Sequence, residues 1–177
     1  MVIWITGLSG AGKTTLSTAL LHSLKPALPQ LLHLDGDTIR SIFGEDLNYS
    51  EAHRKIQIKR IQQLAKFLSD QAAIILVSAL YSHPDLLAWN RANLTDYFEI
   101  YLRAPIELVK ERDTKSLYAK AEAGKIENVV GIDIPWNVPI APDLVIDATN
   151  DQTPEQVAQQ IVQAVPKLAA AMVKRSE

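Results

Sequence analysis

Near the start of the chain, Gly7 and Gly12 stand with four residues between them, followed at once by Lys13 and Thr14 in the run Gly7-Leu8-Ser9-Gly10-Ala11-Gly12-Lys13-Thr14. The flanks constrain this run further. Val2-Ile3-Trp4-Ile5-Thr6 is β-branched and aromatic, and Thr14 to Leu21 continues at helical spacing. A strand, a glycine-rich turn and a helix in that order form an anion cradle. The turn directs backbone N–H groups inward, and the helix adds the positive end of its dipole. The Lys13 ammonium is suited to β- and γ-phosphates, and the Thr14 hydroxyl to Mg²⁺. The run therefore predicts a nucleoside triphosphate site built by residues 10 to 15.

The remainder of the chain follows the same plan. Five short apolar runs, Val2–Thr6, Leu31–Leu34, Ala73–Ser78, Tyr97–Leu102 and Leu144–Asp147, alternate with helical patterns. Several are apolar on both faces, as in a parallel sheet covered on each side. Ile61, Leu64, Ala65 and Leu68 mark a core-facing helix that Ser50 can cap, and Thr153-Pro154-Glu155-Gln156 reads as a capping box opening the last helix. Pro166 should kink or end that helix. The expected architecture is one α/β domain over residues 1 to 177, a three-layer P-loop fold with about five parallel strands and helices on both faces. Residues 112 to 142 carry no strand pattern and include Gly131, Pro135, Pro139 and Pro142. A loop-rich insert of this length is expected to serve as a lid over the transferred group.

Composition narrows the partners. The 177 residues carry a net charge of −2, too little basic excess for nucleic acid to be the main partner. There is no cysteine, hence no disulfide and no thiolate chemistry. No run approaches the length of a membrane span and no basic leader precedes the first strand, so the expected location is the cytoplasm. His33, His53 and His83 show no metal-ligand spacing.

The second strand runs into Leu34-Asp35-Gly36-Asp37-Thr38-Ile39-Arg40. Parallel strands deliver their C-terminal ends to one edge of the sheet, so Asp35 and Asp37 should face the phosphates. One carboxylate can act as a base on an acceptor hydroxyl while the other holds metal-bound water or substrate. Arg40, one turn later, suits an anionic acceptor. The plainer reading is a turn with a helix cap at Asp37.

These segments, together with Asp46-Leu47-Asn48-Tyr49-Ser50, Arg112-Asp113-Thr114-Lys115-Ser116-Leu117-Tyr118 and Gly131-Ile132-Asp133, stand in the order found in adenylyl-sulfate kinases. The chain resembles that family over roughly residues 1 to 150. The resemblance implies transfer of the γ-phosphate of ATP to the 3′-hydroxyl of adenosine 5′-phosphosulfate, with Mg²⁺, a mobile lid and a homodimer. It implies that Gly10, Ala11, Gly12, Lys13, Thr14 and Thr15 hold ATP and that Arg112 packs on its adenine. It makes Asp35 the catalytic carboxylate beside Lys13. Asp37, Arg40, Tyr49, Arg54, Gln57 and Lys115 fall on the acceptor side.

The chain departs from the family on that side. Of two rings that sandwich the acceptor adenine, Tyr49 retains the first, while Val129 stands where the second is expected and Trp136 is the nearest replacement. Gln57 takes the place of an asparagine and His53 that of an acidic residue. The third strand runs into Ser78-Ala79-Leu80-Tyr81, and the stretch from Tyr81 to Trp89 replaces a basic run of which Arg91 alone survives. A ring stacked on a base contributes about 1–3 kcal/mol. Two alternatives follow: a related kinase acting on another nucleotide-linked anion, such as cytidine diphosphate phosphoramidate, and a nucleotide-binding regulator without transfer.

Overall fold

The computed structural model describes residues 1–44, 46–113 and 116–173. Its centre is a parallel sheet of β1 (Val2–Thr6), β2 (Leu31–Asp35), β3 (Ile74–Ala79), β4 (Tyr97–Arg103) and β5 (Leu144–Asp147), in the order β2-β3-β1-β4-β5. The central β1 pairs from Val2↔Ile75 to Thr6↔Ala79 on one side and from Val2↔Tyr97 to Thr6↔Tyr101 on the other. All five of its residues are buried, which is why this run is apolar on both faces. At the edges the cover thins, and Leu32 and Val145 are exposed. Because the chain leaves β1 for one side of the sheet and later passes to the other, the loop after β1 lies where the strand order reverses.

Eight helices are seen among the described residues: α1 (Lys13–Leu24), α2 (Gly36–Ile42), α3 (Glu51–Asp70), α4 (Pro84–Asn93), α5 (Ile106–Arg112), α6 (Leu117–Glu122), α7 (Pro154–Ala164) and α8 (Pro166–Val173). They cover both faces of the sheet, giving the three-layer P-loop architecture expected from the alternating pattern. Ser50 caps α3, its hydroxyl accepting from the His53 N–H at 3.4 Å, and Ile58, Ile61 and Ala65 are buried. The capping box of α7 is formed: Gln156 N–H donates to Thr153 Oγ1 and Thr153 N–H to Gln156 Oε1 at 2.8 Å. This helix buries Val157, Ala158, Ile161 and Val162 and packs on α1. It stops at Ala164, and Pro166 opens a separate helix.

Among the described residues between α5 and β5, the chain forms α6 and otherwise only an isolated bridge between Val130 and Ile134. This insert is not a loose excursion. Tyr118, Val129, Val130 and Ile134 are buried in the common core. At its far end, Arg91 of α4 pairs with Asp143 at 2.6 Å and donates to the Ala141 carbonyl at 2.8 Å. The survivor of the expected basic run is thus committed to anchoring the segment before β5. Among the described residues, no helix is long and apolar enough to cross a membrane.

Candidate active site

A cavity of about 580 Å³ opens at the C-terminal edge of the sheet, bounded by residues 9–16, Asp35, Asp37, Ser78, Arg112 and Ala148. The loop that floors it has a fixed geometry. Gly12 sits at φ 101°, a left-handed angle that would strain a residue with a side chain. A Cβ on Gly7 would lie 2.6 Å from the Leu102 carbonyl oxygen, so this position must be glycine for β1 and β4 to stay paired up to the loop. No side chain caps α1 at Gly12, and the first turn presents its N–H groups toward the cavity. Lys13 folds back over the loop, with Nζ 2.9 Å from the Gly7 carbonyl and 2.8 Å from that of Leu8. The oxygen donor at Thr14, in a chain without thiolates, fits a hard divalent ion such as Mg²⁺ held jointly with phosphates and water.

β2 extends one residue further than its apolar run, so its last residue is Asp35, which also caps α2. Asp35, not Asp37, is the cap. Its Oδ1 accepts from the N–H groups of Asp37 and Thr38, both at 3.1 Å, and from the Thr38 hydroxyl at 3.3 Å. Oδ2 accepts from Ser78 Oγ at 2.9 Å. The two oxygens are thus held separately, Oδ1 by the cap and Oδ2 by Ser78. Burial pushes the Asp35 pKa upward. The donors at Thr38, Ser78 and Asp37, with the field of His33, outweigh it and hold the carboxyl below its ordinary range. Asp37 lines the same cavity.

The far wall comes from the insert and from β5. Arg112 closes α5 and donates to the Ala148 carbonyl at 3.1 Å. Tyr118 reaches the loop, its hydroxyl donating to the Ser9 carbonyl at 3.0 Å, and Asp113 anchors α6 by accepting from Leu117 and Ala119 N–H groups. Burial, and then the nearby Asp113 charge, push the Tyr118 phenol up to about 12. Lys115 lies outside the described residues.

The remaining expected acceptor residues form a second cluster beside α2. Arg40 lies 4.7 Å and Arg54 5.5 Å from the centre of the Tyr49 ring, which is half-exposed. Arg40 donates to the Leu47 and Asn48 carbonyls, and Arg54 to those of Tyr49 and Asn128, the last at 2.7 Å. Burial and the neighbouring Arg40 charge both lower the Arg54 pKa. Gln57 joins this cluster to the cavity, its amide donating to the Gly36 carbonyl at 3.2 Å.

Val129, which stands where the second ring is expected, is 3% exposed and part of the core. Trp136 does not take over the missing ring, because it packs on Tyr101 with ring centres 6.1 Å apart, over a separate depression lined by Leu8 and Ile106. Tyr81 is also reassigned: it is buried, and its hydroxyl donates to Glu51 at 2.9 Å, tying the strand end to the first turn of α3. Sequence reasoning missed Tyr118, Ser78 and His33 as parts of this site. The strand register opposite Asp35 could have found Ser78.

A sequence model of the adenylylsulphate kinase family matches residues 1–147. The adenylyl-sulfate kinase of Rippkaea orientalis is 40% identical over 144 residues, covering 81% of this chain and 80% of that protein. The cytidine diphosphoramidate kinase of Campylobacter jejuni is also 40% identical, over 146 residues, 82% of this chain and 85% of that protein. Among solved structures, the APS kinase of Mycobacterium tuberculosis in complex with AMPPNP and APS superposes with a TM-score of 0.85 at 32% identity, covering 93% of this chain and 96% of that one.

Proposed function

Because this chain belongs to the adenylylsulphate kinase family and is a phosphotransferase acting on a hydroxyl group, we propose that it transfers the γ-phosphate of ATP to the 3′-hydroxyl of adenosine 5′-phosphosulfate. The observation that carries this reading is the position of Asp35, whose carboxylate shares one cavity with the Gly12–Thr15 cradle and adjoins the Arg40–Tyr49–Arg54 cluster through Gly36 and Gln57.

In this mechanism the backbone of Gly10, Ala11, Gly12 and Thr15 binds the ATP phosphates. Lys13 exchanges the Gly7 and Leu8 carbonyls for the β- and γ-phosphates, and Arg112 packs against the adenine next to Ala148. The Thr14 hydroxyl would hold Mg²⁺ together with phosphate oxygens and water, and the bound ion would supply neutralisation of the charge on the transferred group. Asp35 accepts the acceptor hydroxyl proton on Oδ2, since Oδ1 is saturated by three donors. Arg40 and Arg54 clamp the acceptor anion, Tyr49 stacks on its base, and Asp37, Gln57 and Lys115 complete the acceptor side. The segment 112–142 acts as the lid, and the functional unit is a homodimer, which sedimentation of the purified protein tests.

A second reading is favoured by one observation. Val129 lies in the core and no second ring faces Tyr49 from that position, so half of the adenine sandwich is missing. A smaller pyrimidine, as in cytidine diphosphate phosphoramidate, would lose less from that absence. A coupled ADP-release assay separates the readings. Stimulation by adenosine 5′-phosphosulfate supports the first, and stimulation by the cytidine-linked anion alone replaces it with the second. ATP binding without turnover on either would make the chain a nucleotide-binding regulator.

A further inference from the structure

Behind Asp35 runs a short chain of hydrogen-bonded side chains. His33 and Asp35 are two apart on β2 and so project from the same face of the strand. Ser78 stands opposite Asp35 in the β2–β3 register. Its Oγ lies 2.9 Å from Asp35 Oδ2 and 2.9 Å from His33 Nε2. Ser78 is buried and His33 half-buried.

A serine hydroxyl has one proton to give. If His33 carries its proton on Nδ1, the bare Nε2 competes for the Ser78 proton, and Asp35 Oδ2 loses its donor. If His33 carries the proton on Nε2, it donates to Ser78 Oγ, and the Ser78 proton is left to Oδ2. Since Oδ1 is taken up by the α2 cap, the donor on Oδ2 sets which lone pair of that oxygen points into the cavity. We propose that His33 is a positioning residue of the transfer step: by donating Nε2–H to Ser78 it commits the Ser78 proton to Asp35 and aims the free Oδ2 lone pair at the acceptor hydroxyl. Burial keeps the imidazole neutral, with the Asp35 charge opposing, so the choice between tautomers remains open to the hydrogen-bond network. This inference rests on the reading of Asp35 as the base.

The test begins with wild-type ADP release in the presence and absence of each acceptor; a chain that no acceptor stimulates fails as a kinase, independently of His33. His33→Leu should then lower kcat about five- to twentyfold, with KM for ATP and for the acceptor unchanged. His33→Gln, which offers an amide N–H to Ser78, should recover most of that loss. The double variant His33→Leu/Ser78→Ala should be no slower than the slower single variant. Independently of turnover, ¹⁵N shifts of the His33 ring should report the Nε2–H tautomer in the wild type and a mixture in Ser78→Ala. A wild-type kcat in His33→Leu, multiplying losses in the double variant, or a resting Nδ1–H tautomer would each overturn the proposal.

Discussion

The Tyr118 hydroxyl donates to the carbonyl of Ser9 at 3.0 Å, so the insert between α5 and β5 rests directly on the phosphate loop. Removing that hydroxyl leaves the buried ring in place and frees one backbone acceptor. Tyr118→Phe should raise KM for ATP about five- to tenfold, as expected for about 1 kcal/mol, with little effect on acceptor KM. With its pKa pushed up to about 12, the phenol remains protonated through the neutral range, and the ratio of variant to wild type should be flat there. Steady-state titrations of each substrate check both statements.

Lys13 holds two loop carbonyls and is the only side-chain ammonium in residues 7 to 14. Lys13→Ala should lower kcat about 10²- to 10³-fold, as for other preorganised charges aimed at a transition state. Thermal stabilisation by ATP should shrink in parallel, which differential scanning fluorimetry reads.

Asp35→Asn retains the cap acceptor and loses the base. It should bind ATP with unchanged affinity by calorimetry and turn over about 10²- to 10⁴-fold more slowly. The carboxyl also makes a signed contribution to stability. Its folded pKa lies below the unfolded value of about 3.9, so its stabilisation is complete above that pH and is lost as pH falls through the folded pKa. Acid melts of the wild type should steepen there relative to those of Asp35→Asn.

Tyr49 presents a half-exposed ring beside two arginines. Tyr49→Ala should raise acceptor KM about five- to a hundredfold and leave ATP KM unchanged. A matching rise in both constants would show that the ring serves the fold and not the acceptor.

Val129 is a core residue, so Val129→Phe should not create a stacking wall. The larger ring should overpack the interior and cost about 1–3 kcal/mol, lowering Tm by about 2–10 °C. A thermal melt with unchanged Tm and tighter acceptor binding would restore the opposite account.

Much of this arrangement was legible because it is written locally. The loop motif, the Ser50 cap, the Thr153 box and the apolar run of β1 each carry their own signal within a few residues. The acceptor side was less legible, because burial is settled by packing between segments far apart in sequence. Nothing near Val129 announces that it turns inward, and nothing near Tyr81 points to Glu51, thirty positions earlier. The alignment of His33, Ser78 and Asp35 depends on the register of β2 against β3, which a sequence pattern leaves unspecified.

The uncapped start of α1 has a consequence for how such a site can change over time. Its anion ligands are amide groups, present whatever side chains the loop carries, provided the turn at Gly12 survives. On the proposed reading, recognition across the cleft depends on tips of side chains that one nucleotide change can exchange. The donor pocket would then be a fixed socket and the acceptor pocket an interchangeable fitting. Descendants of such a chain can acquire new acceptors without relearning how to hold ATP.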